Sequence, residues 1–450
     1  MSKSTDIRLL EVRQTAEEIA YRTPIKFGGR VVDNAYIIDV EVDVETRDGR
    51  RGTGRGSMPM SNAWAWPSQV VQGADTLAAM CGLAEKLVQQ ANEYQGMGHP
   101  LDVTSDLEHA YQSAADEVTT AAQLAETMPR LAQLVAASPL EAAIHDALGK
   151  TLGLNSYNVL GAEFCNYDLS HYLGAEFAGM YLDQFTLREP KPRMPLYHLV
   201  GALDPLTMAE VSKPVGDGLP ETLGEWIAAD GLTHLKIKLN GDDLKWDVDR
   251  VATVERVAVE AQAKRGCTAW NYSLDFNERC ANVDYVLEFL ARVQETSPLA
   301  LSRAQYIEQP THRDLKANPE NRMHRASAIK PVVIDESLVD LESLLLSREL
   351  GYSGVALKAC KGQTGALLMG AAAQHYGMFL CVQDLTCPGF SFLHSASISA
   401  RIPGVAAIEG NARQYCPAGN AGWADRFPGM FHITDGSLQT SALNGIGLGF

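Results

Sequence analysis

Residues 305–337 contain the repeating unit of the chain and read QYIEQPTHRDLKANPENRMHRASAIKPVVIDES. Each end of this stretch is a short apolar run that finishes in a carboxylate, first Glu308 and then Asp335. The polar residues between the two runs suffice for one helix. This pattern predicts two neighbouring parallel strands joined by a helical crossover.

The same unit recurs from about residue 190 to the end of the chain, at spacings of roughly 25 to 40 residues. Eight units of this length are typical of a (β/α)₈ barrel, and helices are predicted between them, for example over Lys245–Gln262 and Val283–Gln294. The eight predicted strands are Pro195–Val200, Thr233–Leu239, Ser273–Asn277, Gln305–Pro310, Pro331–Ser337, Gly354–Cys360, Gly377–Asp384 and Val405–Asn411.

The chain before the barrel has a different pattern. A strand is predicted over Ala35–Thr46, then a glycine-rich turn (residues 47–56) and an apolar loop (57–67), with helices over Gly73–Asn92 and Ser138–Leu152. We therefore predict an α/β fold: an N-terminal α+β capping domain (1–135), a modified TIM barrel (136–425) and a C-terminal segment (426–450) that returns to the capping domain.

Composition excludes several classes of partner. The formal net charge of -17 would repel nucleic acid, so no nucleic-acid partner is expected. No apolar run is long enough to span a membrane, and the first residues, MSKSTDIRLL, lack the apolar core of a signal peptide. The eight cysteines contain no C-x-x-C pair, which favours reduced thiols and a cytoplasmic location.

Two lysines lie on one face of the predicted strand THLKIKL. Alternate side chains of a strand share a face, so Lys236 and Lys238 point together into the barrel while the apolar residues face the helices. Two adjacent ammonium groups in a desolvated pocket are expected to lower a lysine pKa towards that of a working base. The triplet alone is more often typical of a short strand with a solvated lysine face.

Three successive strands end in carboxylates: Asp275 in LDFN, Glu308 in YIEQP and Asp335 in VIDES. Magnesium prefers oxygen ligands, and strand ends of a barrel converge at its active-site face, so these residues predict a Mg²⁺ site. Strand alternation would turn Glu336 away from Asp335, which makes Asp335 the predicted ligand. Asn277 shares the face of Asp275 and is predicted to contact the site.

Lys358, in ALKACKGQTG, follows on the next strand. Three strands separate it from the strand of Lys238, so it approaches the barrel centre from the opposite side. Two bases on either side of one carbon suit removal of a proton from one face and its delivery to the other. Lys361 is interpreted as a loop cation.

The combination KIK, LDFN, IEQP, IDES and LKACKGQTG resembles the mandelate racemase/muconate lactonizing enzyme branch of the enolase superfamily. The stretches PLEAAIHDALGKTLGLNSYNVLG (139–161) and DGSLQTSALNGIGLGF (435–450) are also similar to that family. The resemblance implies abstraction of the proton alpha to a substrate carboxylate through an enediolate, with acid/base roles for Lys238 and Lys358 and a carboxylate contact for Lys236. It also implies Mg²⁺ as the cofactor and a homo-oligomer.

Six further residues are candidate substrate contacts. Some relatives carry a histidine base at the end of the seventh strand, where this chain has Val382, Gln383 and Asp384 instead. The candidates are the strand-end residues Glu409, Asp384, His198 and Asn277 and the capping-domain residues Trp64 and Trp66. The regions Thr23–Gly29 and Met58–Trp66 are predicted to cover the barrel mouth, although Trp commonly packs at domain junctions as well.

Several reactions fit these residues. Opposed lysines favour a racemase or epimerase acting on a small-molecule carboxylate, whereas an acid-sugar dehydratase or a cycloisomerase needs one base and one acid. A third hypothesis, from another class, is a non-catalytic barrel that serves binding. The complete set of lysines and carboxylates argues against it, because binding does not require that set.

Overall fold

The first part of the chain forms an antiparallel sheet followed by helices; the computed structural model describes residues 2–27 and 30–450. The sheet order is β1-β2-β3, and β1 and β2 form one long hairpin. These elements are β1 (Ile7–Phe27), β2 (Arg30–Thr46), β3 (Arg51–Pro59), α1 (Asn62–Ala65), α2 (Gly73–Glu93), α3 (Pro100–Glu108), α4 (Tyr111–Ala121) and α5 (Arg130–Leu152).

Strand β3 occupies most of the segment that the sequence predicts as a glycine-rich turn, so that prediction is wrong beyond residue 50. Gly52, Gly54 and Gly56 alternate along β3 and face helix α5. A Cβ atom at Gly54 would lie 2.1 Å from the carbonyl oxygen of Ala143, so no larger residue fits without displacement. The glycines here permit a close approach between a strand and a helix rather than a bend.

A closed parallel barrel follows, as predicted. Its strands hydrogen-bond in chain order from β4 to β11, and β11 pairs with β4 to complete the circle. The barrel strands are β4 (Met194–Val200), β5 (His234–Lys238), β6 (Asn271–Asp275), β7 (Ala304–Glu308), β8 (Val332–Ile334), β9 (Gly354–Lys358), β10 (Phe379–Gln383) and β11 (Ile408–Glu409). The fold class, a capped (β/α)₈ barrel, is therefore confirmed.

Helices surround the barrel. The predicted helices over 245–262 and 283–294 correspond to α8 and α9, and Asp243 Oδ1 caps α8 by accepting from the backbone N of Trp246 at 3.0 Å. The helices are α6 (Ser170–Leu173), α7 (Leu223–Asp230), α8 (Leu244–Arg265), α9 (Val283–Thr296), α10 (Pro298–Arg303), α11 (His324–Ser327), α12 (Leu341–Glu349), α13 (Gln363–His375), α14 (Gly389–Arg401), α15 (Ala412–Tyr415), α16 (Trp423–Arg426) and α17 (Pro428–Phe431).

The C-terminal segment contacts both parts of the molecule. Strand β12 (Ser437–Leu438) pairs antiparallel with barrel strand β4. The backbone N of Leu448 then donates to Asp146 of α5 at 2.9 Å. The domain boundaries at residues 135 and 425 and the homo-oligomeric state stay predictions. Within the described ranges, no helix has the combined length and apolar character that crossing a bilayer requires.

The barrel interior is filled below the carboxyl ends of the strands. An apolar layer of inward-facing residues packs there: Tyr197, Tyr306, Val333, Ala356, Cys381 and Ala407. The polar residues at the carboxyl ends of the strands lie on one side of this apolar layer. A site for catalysis is therefore expected at the face where these strand ends converge.

Candidate active site

Lys236 and Lys238 both point into the barrel from β5 and are almost fully buried, with 1% and 4% of their surface exposed. The Lys236 Nζ lies 3.0 Å from Asp275 Oδ2, 2.7 Å from Glu308 Oε1 and 2.8 Å from Glu409 Oε2. One ammonium group thus contacts carboxylates from three strands, β6, β7 and β11. The side chains of these strands therefore meet that of Lys236 inside the barrel.

The three predicted metal carboxylates lie at the ends of adjacent strands and are buried. Asp275 pairs in register with Lys238 on one side and with Glu308 on the other. Asp335 follows β8, the next strand in the barrel, and its Oδ2 lies 2.8 Å from Lys358 Nζ. The structure therefore brings all three carboxylates to the same end of the barrel.

Asp335 and Glu336 both lie within this end of the barrel, so the expected separation of the two side chains is wrong. Strand β8 ends at Ile334, and the alternation of faces does not continue into the next two residues. Glu336 is 2% exposed and accepts hydrogen bonds from Trp64 Nε1 at 2.9 Å and Asn277 Nδ2 at 3.3 Å.

Lys358 reaches the cluster from β9, with β6, β7 and β8 between it and the strand of Lys238. Lys361 joins it: its Nζ donates to Asp335 Oδ1 at 3.1 Å and to the Asp335 backbone oxygen at 2.5 Å. Lys361 is buried, so the interpretation as a loop cation is wrong. A tight turn after β9 returns its side chain to the barrel.

The lysine pKa values differ from the expected lowering. Burial alone would lower the pKa of Lys236, but the three carboxylates that contact it raise that pKa well above its ordinary value. Burial also favours a lower pKa for Lys358, but the combined charges of Asp335, Glu409 and Glu308 raise that pKa above its ordinary value. The neighbouring carboxylates therefore favour the ammonium form of both Lys236 and Lys358.

Several carboxyl groups in the cluster have raised pKa values, because burial and neighbouring negative charges both disfavour their ionised form. Burial, followed by the charge of neighbouring carboxylates, raises the pKa of Glu308 well above its ordinary value. The same two causes raise the pKa of Glu336 to about 7 and that of Asp384 to about 8. The cluster therefore holds more negative charge than its own cations neutralise.

A count of the charged groups gives the size of that excess. The buried cluster comprises six carboxyl groups, those of Asp275, Glu308, Asp335, Glu336, Asp384 and Glu409, and four amines, those of Lys236, Lys238, Lys358 and Lys361. With all ten ionised, two negative charges remain. One divalent cation would balance them.

In the part of the chain that the structure describes, no three Asp, Glu, His or Cys side chains are arranged as a preformed metal site. The reason is visible at Lys236, whose ammonium group lies between Asp275 and Glu308 and serves as their counter-ion. Glu336 Oε2 is buried and has no hydrogen-bond partner among the described residues. The donor set, oxygen-rich with excess negative charge, fits magnesium.

Three of the predicted substrate contacts lie in the cluster. Glu409 accepts from Lys236 and from Asn411 Nδ2. Asn277 accepts from Lys238 Nζ at 2.8 Å. Asp384 accepts from the backbone N–H groups that follow it, of Thr386 at 3.3 Å and Cys387 at 3.2 Å. Their roles in substrate binding stay predictions.

The two capping tryptophans differ. The Trp64 ring lies over Lys358, with Nζ 4.4 Å from the ring centroid, so Trp64 is at the site. Trp66 is buried instead within the capping part, where its Nε1 donates to Glu126 at 2.9 Å. The structure therefore does not bring Trp66 to the cluster, because its side chain is directed away from the barrel.

The structure does not bring His198 to the cluster either. Tyr197 belongs to the inner layer of the barrel, and alternation along β4 turns His198 outward. Its ring lies 5.5 Å from that of Trp226, and its Nδ1 is 2.7 Å from an Arg413 nitrogen. Burial and then the Arg413 charge lower the His198 pKa well below its usual value.

The sequence reasoning missed two residues that shape the cluster. Gln383 donates to Glu308 from β10, and its position on the inward face follows from strand alternation. Arg313 follows β7 and is partly buried; it pairs with Glu278 and donates to the backbone oxygen of Trp64 at 3.0 Å. No local pattern predicts the contact of Arg313, which joins distant parts of the chain.

A cavity of about 100 Å³ opens beside Lys238. Lys26, Asn277 and Arg279 also line it. Lys26 belongs to the 23–29 region that was predicted to cover the barrel mouth, and residues 23–27 of that region continue strand β1. Gly28 and Gly29 lie outside the described residues.

These features define a class of protein: a capped (β/α)₈ barrel with a buried cluster of lysines and carboxylates at the carboxyl ends of its strands. Residues 219–450 match the family described as enolase C-terminal domain-like. The match covers more than half of the chain. The chain belongs to the enolase superfamily, in its mandelate racemase/muconate lactonizing enzyme branch.

Solved structures share this fold over nearly the whole chain. A dipeptide epimerase from Methylococcus capsulatus, complexed with Mg and L-Arg-D-Lys, has a TM-score of 0.61 at 16% identity, covering 98% of this chain and 99% of that chain. An N-succinyl Arg/Lys racemase from Bacillus cereus also has a TM-score of 0.61 at 16% identity, with coverages of 98% and 95%.

A muconate lactonizing enzyme from Pseudomonas fluorescens, complexed with muconolactone, has a TM-score of 0.58 at 16% identity, covering 98% of this chain and 96% of that chain. No curated protein matches the chain. At these identities the solved structures establish the common fold, and the reaction has to be argued from the residues of this chain.

Proposed function

We propose that the protein is a magnesium-dependent racemase or epimerase, which removes the proton alpha to a substrate carboxylate and returns a proton to the opposite face. The observation that carries this proposal is the placement of two amines, Lys238 on β5 and Lys358 on β9, on opposite sides of a carboxylate cluster. Two bases facing one carbon are what inversion at that carbon needs.

Lys238 and Lys358 exchange the roles of base and acid in the proposed reaction. Whichever of Lys238 and Lys358 is unprotonated accepts the α-proton from its own side, and the other, as an ammonium ion, donates a proton from the opposite side. The carbon thus loses and gains one proton, and its configuration inverts. Asp275 and Asn277 hold the first amine, and Asp335 holds the second.

Asp275, Glu308 and Asp335 would hold the magnesium ion. When bound, that ion supplies positive charge opposite the substrate carboxylate, which makes the neighbouring proton more acidic. Lys236, whose Nζ lies 2.7 Å from Glu308, would add a second positive charge and contact the same substrate carboxylate. Burial of the cluster excludes water, which strengthens each of these interactions.

The structural neighbours support the choice of substrate class. One neighbour is a dipeptide epimerase complexed with L-Arg-D-Lys and another is an N-succinyl Arg/Lys racemase, and the compounds in both names carry a carboxylate beside an α-carbon. The test panel therefore contains both enantiomers of N-succinyl amino acids, dipeptides epimeric at one residue, acid sugars and muconolactone. Muconolactone tests the cycloisomerase alternative and acid sugars test the dehydratase alternative.

The experiment incubates each compound with the protein and Mg²⁺ in D₂O and follows the α-proton signal by proton NMR. Loss of that signal with the skeleton retained, and appearance of the other epimer, is the expected result. Formation of a 2-keto acid would replace the racemase proposal by a dehydratase. Absence of any reaction across the panel would favour a binding protein.

Variants test the two amines. Lys238→Met and Lys358→Met keep the side-chain volume but remove the base. Each is expected to abolish exchange of the α-proton from the substrate face that the replaced lysine serves. Lys245→Met is the matched control, because that lysine is 85% exposed on α8 and pairs with the exposed Asp249. Full exchange in both site variants would refute the assigned bases.

A further inference from the structure

Trp64 belongs to the capping part of the chain, but its side chain lies in the mouth of the barrel. It is 4% exposed, and its Nε1 donates to Glu336 Oε1 at 2.9 Å. Lys358 Nζ is 4.4 Å from the ring centroid, within the range of a cation–π contact. Arg313 fixes the backbone of this residue through its hydrogen bond to the Trp64 oxygen.

The same tryptophan is connected to the other amine. Glu336 Oε1, which accepts from Trp64, also accepts from Asn277 Nδ2 at 3.3 Å. Asn277 Oδ1 accepts from Lys238 Nζ at 2.8 Å. A continuous path of contacts therefore runs from Lys238 through Asn277 and Glu336 to the indole, and from the indole ring to Lys358.

We propose that Trp64 is a positioning residue that holds both bases, and that it does so through two separable parts of its side chain. The ring holds the Lys358 ammonium group. The N–H holds Glu336, which orients Asn277 and through it Lys238. This inference rests on the proposed function, because the proposed function is what assigns Lys238 and Lys358 to opposite faces of one substrate carbon.

Two substitutions separate the parts. Trp64→Phe keeps an aromatic ring over Lys358 but removes the N–H, whereas Trp64→Leu removes both. The loss of one hydrogen bond corresponds to about a tenfold change in rate. Trp64→Phe is therefore expected to slow exchange through Lys238 about tenfold and to leave exchange through Lys358 within about twofold. Trp64→Leu is expected to slow both.

The measurement is the initial rate of deuterium incorporation, taken separately for each enantiomer of the panel compound that exchanges fastest. Lys238→Met and Lys358→Met identify which enantiomer depends on which amine. Trp66→Phe is the matched control. Trp66 lies two residues after Trp64, and the substitution removes an indole N–H that donates to Glu126. Among the residues that the structure describes, Trp66 has no hydrogen bond to the cluster. Its two rates should equal those of the wild type.

The split between the two enantiomers separates positioning from a general loss of structure, which would lower both rates together. Equal rate changes for the two enantiomers in Trp64→Phe, or no change in Trp64→Leu, would overturn the positioning role while leaving the proposed function intact. A slowing by Trp66→Phe that matches Trp64→Phe would also overturn it. If neither lysine substitution affects exchange, the proposed function itself fails and the positioning role with it.

Discussion

Replacement of Lys236 by methionine is expected to destabilise the protein strongly in the absence of magnesium. The Lys236 ammonium group contacts Asp275, Glu308 and Glu409 at 2.7 to 3.0 Å, and all four groups are buried. At these separations each attraction amounts to about 6 kcal/mol at an effective dielectric constant of about 20. Desolvation offsets much of this, and breaking a buried pair typically costs about 3–5 kcal/mol.

Magnesium should return part of that stability. If the cation binds the same carboxylates, a concentration of about 100 times Kd adds about 2.7 kcal/mol to the unfolding free energy. The gain should be larger in Lys236→Met than in the wild type, because the competing ammonium group is absent. Glu308→Gln removes one of the proposed ligands and should lose most of the gain.

The assay is urea denaturation at pH 7, with EDTA or with Mg²⁺, followed by circular dichroism, and the slope of the unfolding free energy against urea should stay constant. Lys245→Met, at the exposed i,i+4 pair with Asp249, serves as the control and should unfold like the wild type. A loss below about 1 kcal/mol in Lys236→Met would refute the ion-pair argument. Equal stabilisation of Glu308→Gln and the wild type by Mg²⁺ would refute the ligand assignment.

Three further predictions concern stability. Gly54→Ala should cost about 1–3 kcal/mol of unfolding free energy, because the new Cβ would lie 2.1 Å from the Ala143 oxygen. Gly224→Ala on α7 is the control: its Cβ would meet nothing closer than 3.7 Å, so it should stabilise the protein by about 0.5–1 kcal/mol. Equal effects of the two variants would contradict the packing argument. Burial raises the pKa of Glu141 to about 8, above its ordinary value of 4.5, so the stability present below pH 4.5 should decline as pH rises to 8. Glu141→Gln should flatten that decline in a pH series of unfolding curves, and an unchanged pH profile would refute the assignment. Asp243→Ala should lower the unfolding free energy by about 1 kcal/mol through loss of the α8 cap, and an unchanged denaturation midpoint would show that the cap contributes nothing.

The barrel and the centre of its site could be predicted because both depend on local periodicity. Eight short runs of apolar residues, each ending in polar ones, appear as eight strands, and the inward positions of Lys236, Asp275 and Glu308 follow from alternation along β5, β6 and β7. The same rule, applied to β4, would have directed His198 outward. It fails at Glu336, because β8 ends two residues earlier.

Contacts between distant segments could not be predicted. Trp64 and Glu336 are 272 residues apart, and nothing near either residue in the sequence indicates that they meet. The glycines of β3 are equally ambiguous, since alternating glycine suits a turn as well as a strand packed against a helix. In both cases tertiary packing determines which local tendency is realised.

Helix α5 has a consequence for how this architecture can vary in evolution. Every residue from Leu131 to Gly149 is buried, because β3 packs on one side of the helix and the turn after β9, with Lys361, packs near another. The helix therefore has no solvent face on which substitutions are neutral over this stretch. An exchange of the capping sheet between relatives would have to carry α5 with it, so the sheet and the helix that packs between it and the barrel are expected to vary together.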